Sequence, residues 1–179
     1  MHHQPAEECQ TGEYCKVIKQ FVPQGFCLKC RGCCRFKELD SVWAPCLLDE
    51  EIQVLLDKDI PPALISLDRR IRPVSNPKEE GFICSFLNLT DNKCKIYAFR
   101  PLECQLYPFL IGLRDKKVLL TVDLNCPYAK EHLNSEAFKQ FTQYLSAFLN
   151  SPKQVRMLKD NPQIIQAYED VLDILELNI

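Results

Sequence analysis

Glycine and histidine are scarce in this chain, whose 179 residues include five glycines and three histidines. Glycine-rich loops cradle phosphates and dinucleotides, and paired histidines hold the zinc of many metalloproteases. The sequence contains no phosphate-binding loop, dinucleotide fingerprint, zinc-protease helix or nucleophile elbow. These absences exclude the familiar motifs of nucleotide enzymes and hydrolases. They leave open whether the chain is an enzyme of another kind.

Long apolar runs and a strong net charge are also missing. No stretch approaches the roughly 20 apolar residues that span a bilayer, and the first 15 residues lack the apolar core of a secretory signal. The formal net charge is −2, so a general attraction to nucleic acid is not expected. We therefore expect no membrane association, no nucleic-acid partner and a cytoplasmic location, where thiols are kept reduced.

Cysteine, in contrast, is abundant, with 11 residues, and an odd number fits poorly with a fully paired disulfide framework. Four of these thiols lie between positions 27 and 34, where Gly32 lets the backbone wrap closely around a bound centre. Thiolates spaced by two residues can turn toward one soft cation. The pattern predicts a metal or an iron–sulfur cluster held by Cys27, Cys30, Cys33, Cys34, Cys84, Cys94, Cys104 and Cys126. The remaining cysteines, Cys9, Cys15 and Cys46, fall outside it.

The spacing favours iron–sulfur chemistry over zinc. Cys27, Cys30 and Cys33 repeat the Cys-x2-Cys-x2-Cys run of bacterial ferredoxins, and Cys126-Pro127 repeats the Cys-Pro that closes that motif. The match is partial, because Lys37 stands where the run needs its fourth cysteine. A zinc ribbon generally has two Cys-x2-Cys pairs, and the second half of this chain has none. We predict an iron–sulfur cluster, with a 4Fe-4S cluster favoured, and keep zinc as the alternative.

The number of centres stays open at this point. A structural zinc site and a cubane cluster each take four ligands, so eight thiols suffice for two sites, or for one site and four further thiols. Cys33 and Cys34 are neighbours, and consecutive side chains seldom converge on one metal atom. One of them therefore serves a different centre, packs as a small apolar group or is redox-active.

The pattern of apolar and polar residues predicts an α+β fold, a small irregular metal-centred domain with short strands and a helical C-terminal extension. We expect a loosely ordered N-terminal segment over residues 1–22 and a cysteine-cluster domain over residues 23–130. C-terminal helices over residues 131–179 then pack on that domain as one structural unit. The expected elements are a helix at 48–58, a strand at 82–87, a hairpin at 109–113 and 117–122, a helix behind Asn134 or Ser135, helix starts at Ser151-Pro152 and Asn161-Pro162, and a last helix whose face carries Ile164, Ile165, Tyr168, Val171, Leu172 and Leu175.

Basic residues near the thiols have two interpretations. They either lower thiol pKa values and offset the charge of a cluster, or they form a solvated surface. Arg100 likewise contacts a thiolate or substrate, or hydrogen-bonds nearby carbonyl groups, and the second interpretation is favoured. The basic residues around the first cysteines are Lys29, Arg31, Arg35 and Lys37.

The order of these motifs resembles the YkgJ-type cysteine-cluster family. The shared features are Cys-x2-Cys-x2-Cys-Cys, Cys84, Cys94-Lys-Ile-Tyr97, Arg100-Pro101, Cys104, Tyr107-Pro108-Phe109 and Cys126, over about residues 27–127. Members of that family are described as zinc- or iron-chelating proteins with eight cysteines, and flagellin lysine N-methylase carries a similar domain. The resemblance implies a bound metal or cluster at the eight positions named above.

These observations predict a metal-binding protein that holds an iron–sulfur cluster for electron transfer or to support a partner enzyme. The resemblance to the methylase suggests methyl transfer, and we expect a protein as the partner. One alternative is a zinc-stabilised protein-interaction module, in which metal binding supplies folding free energy. The other is a thiol redox sensor, in which Cys33, Cys34 or spare thiols oxidise reversibly.

Overall fold

Short helices and short antiparallel strands alternate along the chain in the computed structural model, which describes residues 18–30 and 32–179. The helices in these residues are α1 (Gln24–Cys27), α2 (Asp49–Asp57), α3 (Leu102–Leu106), α4 (Pro127–His132), α5 (Glu136–Leu149) and α6 (Pro152–Asp160). The strands are β1 (Arg35–Phe36), β2 (Pro73–Ser75), β3 (Phe82–Cys84), β4 (Phe109–Arg114), β5 (Lys117–Asp123) and β6 (Val171–Glu176). Single turns of 3-10 helix lie at Pro62–Leu64, Tyr97–Phe99 and Pro162–Ile164. The α+β class predicted from the sequence is confirmed.

The strands form two antiparallel sheets of three strands each, in the orders β1-β3-β2 and β4-β5-β6. In the first sheet β3 is central, with Ile83 paired to Arg35 on one side and to Val74 on the other. Gly81 precedes β3 with a φ of 101°, and a Cβ atom there would lie 2.8 Å from the carbonyl oxygen of Phe36. Glycine therefore allows β3 to approach β1 closely.

The hairpin predicted over residues 109–122 is confirmed. β4 and β5 pair from Phe109 opposite Val122 to Arg114 opposite Lys117. The two residues between them, Asp115 and Lys116, have φ values of 52° and 65°. A two-residue loop with positive φ at both positions matches the right-handed twist of the strands that it joins.

The starts of the longer helices also follow the sequence. Three acidic residues occupy the first turn of α2, where they favour the positive end of the helix dipole. The backbone N–H of Leu48 donates a 2.9 Å hydrogen bond to the Glu51 carboxylate. Ser135 caps α5 by accepting a hydrogen bond from the backbone N–H of Phe138, and Pro152 is the first residue of α6.

The expected last helix is wrong, because residues 171–176 form strand β6, which pairs with β5. A register shift next to Leu120 places Leu172 opposite Val122 and Leu175 opposite Leu120. Because of the bulge, Leu172 and Leu175, which are three positions apart on β6, pair with residues of β5 that are only two positions apart. That spacing imitates one turn of a helix, and the pairing with β5 overrides it. Asn161-Pro162 starts only the short 3-10 turn.

Two apolar clusters lie beside the two sheets. The first joins the N-terminal residues Ile18 and Val22 to the β4–β5 hairpin and to the C-terminal helices. The second joins β1 and β3 to α2. Residues 1–17, most of the segment expected to be loosely held, lie outside the described residues. The buried members of the second cluster are Phe36, Ala44, Leu47, Leu55, Ile71, Ile83, Cys84, Phe86, Leu87 and Ile96.

Among the residues that the structure describes, no helix combines the length and the apolar character that crossing a membrane requires.

Candidate metal centre

The packing of α1 against α4 brings the first two cysteines close to the last one. The ring centroids of Phe26 and Tyr128 lie 5.2 Å apart in an edge-on arrangement. After α1 the chain turns back, and the backbone N–H of Cys30 donates to the carbonyls of Phe26 at 3.0 Å and Cys27 at 3.2 Å. Cys126 immediately precedes α4. Burial, followed by the nearby thiols of Cys126 and Cys30, raises the pKa of Cys27 to about 11.

Strand pairing brings Cys84 beside Cys34. The backbone N–H of Cys84 donates a 2.9 Å hydrogen bond to the carbonyl oxygen of Cys34, one position beyond the paired residues Arg35 and Ile83. An isolated bridge pairs Leu87 with Cys94, so a short loop returns Cys94 to the neighbourhood of Cys84. Burial, followed by the thiol of Cys34, raises the pKa of Cys84 to about 12, and Cys94 contributes further.

Helix α3 adds Cys104 to this second group. Burial, followed in order by the thiols of Cys84, Cys34 and Cys94, raises the pKa of Cys104 well above its usual value. Burial also raises the pKa of Cys94, with a smaller contribution from Cys34. Cys34, Cys84, Cys94 and Cys104 are therefore close enough to affect one another's pKa values. They come from four places in the chain: the residue before β1, strand β3, the loop after β3 and helix α3.

Cys33 and Cys34 lie between two groups of thiols. One group contains Cys27, Cys30 and Cys126, and the other contains Cys84, Cys94 and Cys104. The thiols of Cys33 and Cys34 share a hydrogen bond, which raises the pKa of Cys33 well above its usual value and lowers the pKa of Cys34. The guanidinium groups of Arg35 and Arg100 lower the pKa of Cys34 further, against the opposing effect of burial. Cys33 is exposed as a whole residue, yet its thiol loses solvation among its neighbours, including Cys104 and Cys27.

Backbone amides also favour the anionic form of three sulfurs. The thiols of Cys84, Cys94 and Cys126 interact with N–H groups two or three residues further along the chain, and each interaction lowers the pKa of its thiol. Burial is the larger effect at all three and keeps the net shift upward. Such N–H groups stabilise a thiolate once a cation has displaced the proton.

Arg100 faces the thiols, which is the less favoured of the two interpretations of its sequence position. Its guanidinium carbon lies 4.0 Å from the ring centroid of Tyr97, a cation–π distance. Its charge lowers the pKa values of Cys27, Cys34 and Cys94. Nη2 of Arg100 is buried with no hydrogen-bond partner among the described residues. Of the basic residues around the first cysteines, Arg35 lowers the pKa of Cys34 through its charge. Arg31 lies outside the described residues.

Sequence reasoning missed Asp123, whose carboxylate lies near the thiol of Cys126. Asp123 is 3% exposed, and it accepts hydrogen bonds from the Tyr107 hydroxyl at 2.9 Å and the Asn125 backbone N–H at 2.8 Å. Burial, followed by the thiol of Cys33 and the charge of Asp123, raises the pKa of Tyr107. The available signal was Asp-x-Asn-Cys, since an Asp that bonds the backbone two residues on marks a tight turn.

The cysteines outside the pattern have different outcomes. Cys46 is 1% exposed, and burial raises its pKa to about 11. Its backbone N–H donates a 2.6 Å hydrogen bond to the Glu103 carboxylate. Cys9 and Cys15 lie outside the described residues.

The donor set fits a soft metal or an iron–sulfur cluster, because all nine described cysteines are free thiols and sulfur is the donor that these centres take. In residues 18–30 and 32–179, no group of three or more His, Cys, Asp or Glu side chains is arranged to hold a metal ion. The structure brings the eight predicted positions into one region, and their role as ligands stays a prediction.

Comparison with known proteins shows the family of the chain and similarity to a curated protein. A family model named CxxCxxCC, described as "Putative zinc- or iron-chelating domain", matches residues 26–144. An uncharacterized protein of Methanocaldococcus jannaschii is similar, with 32% identity over 102 residues, which is 55% of this chain. The match spans about half of that relative, 52% of its length. No solved structure matches the chain significantly.

Proposed function

Because the chain belongs to the CxxCxxCC family of zinc- or iron-chelating domains, we propose that it holds an iron–sulfur cluster through its clustered cysteines. The membership also confirms the resemblance inferred from the order of the motifs. The description of the family supports metal binding, and the choice of an iron–sulfur cluster is our own. The observation that carries it is the meeting of eight cysteines, all free thiols, from separate segments of the fold.

Three features of the chain support a cluster in this place. The thiols are desolvated, and burial is one of the properties that set the potential of an iron–sulfur centre. Backbone N–H groups point at three of the sulfurs, and Arg100 and Arg35 supply positive charge beside Cys34. These groups offset the negative charge that thiolates bring to a buried site.

A bound iron–sulfur cluster supplies one-electron transfer. Two of the eight cysteine residues, Cys27 and Cys33, are exposed, and this exposure supports exchange with a protein partner that approaches that side. We propose that the protein either transfers electrons to such a partner or supports its reaction. The suggestion of methyl transfer rests only on the resemblance to flagellin lysine N-methylase.

The test is the metal and sulfide content of the protein after purification without oxygen. We expect a brown protein that contains iron and acid-labile sulfide and that bleaches on addition of dithionite. An electron paramagnetic resonance spectrum of the reduced sample should show a cluster signal. A folded protein without iron, zinc or sulfide would contradict metal binding altogether.

Zinc is the second candidate, and the description of the family as zinc- or iron-chelating favours it. Four thiolates satisfy a structural zinc ion, and its binding would add folding free energy. A zinc protein would be colourless and insensitive to dithionite, and chelators would lower its melting temperature. The partner would then bind a surface that the metal stabilises.

Reversible thiol oxidation is the third candidate. It is favoured by the lowered pKa of Cys34, because the thiolate is the reactive form of cysteine. A sensor purified without metal would lose free thiols on treatment with an oxidant and regain them with a reductant. Iron with matching sulfide in the purified protein would favour the cluster over this function.

A further inference from the structure

We propose that the eight cysteines form two separate four-thiol sites. Site A consists of Cys27, Cys30, Cys33 and Cys126, and site B consists of Cys34, Cys84, Cys94 and Cys104. This inference rests on the proposed function and adds to it the number of centres and the membership of each. It applies to a zinc ion and to an iron–sulfur cluster alike, since both take four thiolates.

Site B is assembled by strand register. Cys34, the residue before β1, lies opposite Cys84 at the end of β3, and residues directly opposite each other in an antiparallel pair have Cβ atoms about 4.5–5.5 Å apart. The bridge between Leu87 and Cys94 returns the following loop to this point. Cys84 is a buried member of the second apolar cluster, and Cys34 and Cys94 pack against that cluster. Cys34, Cys84 and Cys94 therefore all lie at the second apolar cluster.

Cys104 completes site B from α3. Its three cysteine neighbours with the largest electrostatic effect are the other members of this set. The site then draws on β1's flank, β3, the loop after β3 and α3, so that it forms only when these elements have folded together.

Site A is assembled on the other apolar cluster. Cys126 is a buried member of the first cluster, and Phe26 and Tyr128 pack against that cluster. The edge-on contact between the two rings fixes α1 against α4, which brings Cys27 and Cys30 toward Cys126. A Cβ atom placed on Gly32 would lie 3.4 Å from Sγ of Cys30, so Cys30 turns back over the residue that precedes Cys33.

Cys33 belongs to site A because site B already has four members. Cys33 lies close to Cys27 of site A, and it also lies close to Cys34 and Cys104 of site B. Two consecutive residues rarely direct both side chains to one ion, since their Cα–Cβ bonds diverge. The boundary between the sites therefore falls on the peptide bond between Cys33 and Cys34.

The experiment compares metal content among cysteine-to-serine variants purified anaerobically. The single variants Cys30→Ser, Cys33→Ser and Cys94→Ser should each retain half of the wild-type metal, and half of the sulfide where a cluster is present. The double variant within site A, Cys30→Ser with Cys33→Ser, should retain the same half. The double variant across sites, Cys33→Ser with Cys94→Ser, should retain none. Cys46→Ser is the matched control and should keep the full amount.

The outcomes separate the two proposals. Wild-type protein without metal overturns the proposed function and this inference with it. If the wild-type protein contains metal, two results would overturn the two-site arrangement alone. In the first, one single variant loses all of its metal; in the second, the double variant across sites retains half. The arrangement is also overturned when the double variant within site A retains none, because Cys30 and Cys33 would then serve different centres.

A measurement on the wild-type chain avoids the folding of variants. Metal-free protein is titrated anaerobically with Co²⁺, whose absorption bands report thiolate ligation. The bands should reach their plateau at two equivalents per chain, and native mass spectrometry should show a species with two ions. A plateau at one equivalent, with no second ion bound, would overturn the arrangement.

Discussion

The backbone N–H of Cys84 donates a hydrogen bond of 2.9 Å to the carbonyl oxygen of Cys34. Fifty positions of sequence separate these residues, and the register of β1 against β3 places them side by side. Opposing positions on antiparallel strands have Cα atoms about 4.5–5.5 Å apart, which lies within the range that a disulfide can bridge. The hydrogen bond from Cys33 and the charges of Arg35 and Arg100 lower the pKa of Cys34, which favours its thiolate form.

Mild oxidation of the metal-free protein should therefore link Cys34 to Cys84. A dithiol oxidant such as diamide accepts the two electrons and the two protons that the thiols lose. Peptide mapping by mass spectrometry should find the Cys34–Cys84 link first, and bound metal should prevent it. The Cys46→Ser variant should form the same link at the same rate. A first link between Cys34 and Cys27 would contradict the strand register as the determinant.

Replacement of Arg100 should weaken metal binding. Its charge favours the thiolate forms of Cys27, Cys34 and Cys94, and residues that support metal ligands typically change affinity by about 10- to 100-fold. We expect Arg100→Met to lose affinity in that range and Arg100→Lys to lose less, as measured by competition with a chromophoric chelator. Arg156→Met, at an exposed position of α6, is the control and should bind like wild type. Equal affinity in Arg100→Met and wild type would remove Arg100 from this role.

Metal binding should release protons and strengthen as the pH rises. Burial raises the pKa of Cys27 to about 11 and that of Cys84 to about 12, so both thiols are protonated at neutral pH and each must lose its proton to bind an ion. Calorimetric titration with Zn²⁺ in two buffers of different ionisation enthalpy measures the released protons. Cys46→Ser should release the same number. A heat that is equal in both buffers would show that the thiols were already ionised.

The Glu51 carboxyl should make the protein less stable as the pH rises. Burial raises its pKa from 4.5 to about 7, although it accepts hydrogen bonds from the backbone N–H groups of Leu48 and Leu102. Between these pH values the folded protein binds more protons than the unfolded chain, so this contribution is complete below about pH 4.5 and is lost toward pH 7. The loss is on the order of 3 kcal/mol in the free energy of unfolding.

Denaturant unfolding of Glu51→Gln at several pH values checks this contribution. The variant cannot ionise at that position, so the free energy of unfolding of the wild type should fall relative to that of the variant as the pH rises from 4.5 to 7. Glu131→Gln changes an exposed acid on α4 and should leave the wild-type slope unchanged. A variant with the wild-type slope would assign the pH dependence to another group.

The C-terminal helices and the hairpin share one core, which a pair of leucine substitutions can test. Leu145 on α5 is fully buried, whereas Leu172 on β6 is 41% exposed. We expect Leu145→Ala to lower the free energy of unfolding by about 2–5 kcal/mol and Leu172→Ala to change it by less than about 1 kcal/mol. Thermal unfolding followed by circular dichroism measures both. Equal small effects would indicate that α5 contributes little to the stability of the core.

Local patterns in the sequence were sufficient for several elements. The hairpin at 109–123, the start of α2 and the cap of α5 at Ser135 depend on turn chemistry, acidic residues and capping hydroxyls that lie within a few positions of each other. β6 was not predictable in this way, because its pairing with β5 and the adjacent bulge are tertiary. The apolar spacing around Leu172 and Leu175 is compatible with a helix until the partner strand is known.

The candidate site divides along the same line. The spacing of the cysteines predicts the eight positions and leaves Cys46 outside the set, and the structure shows only that Cys46 is buried. Which thiols are neighbours depends on the register of β1 against β3 and on the contact of Phe26 with Tyr128, neither of which local sequence encodes. The orientation of Arg100 toward the thiols was the less favoured of two interpretations, because a charged residue before a proline has no local pattern that shows which group it faces.

Cys33 and Cys34 are joined by one peptide bond, and consecutive Cα atoms lie about 3.8 Å apart. If each of these residues binds its own inorganic centre, covalent geometry sets the distance between the two centres. Conformational fluctuations of the surrounding fold then change that distance little. Insertion of a single residue between Cys33 and Cys34 would lengthen that distance without removing any sulfur. Such an insertion would distinguish a pair of centres that exchange electrons as one relay from two that work independently.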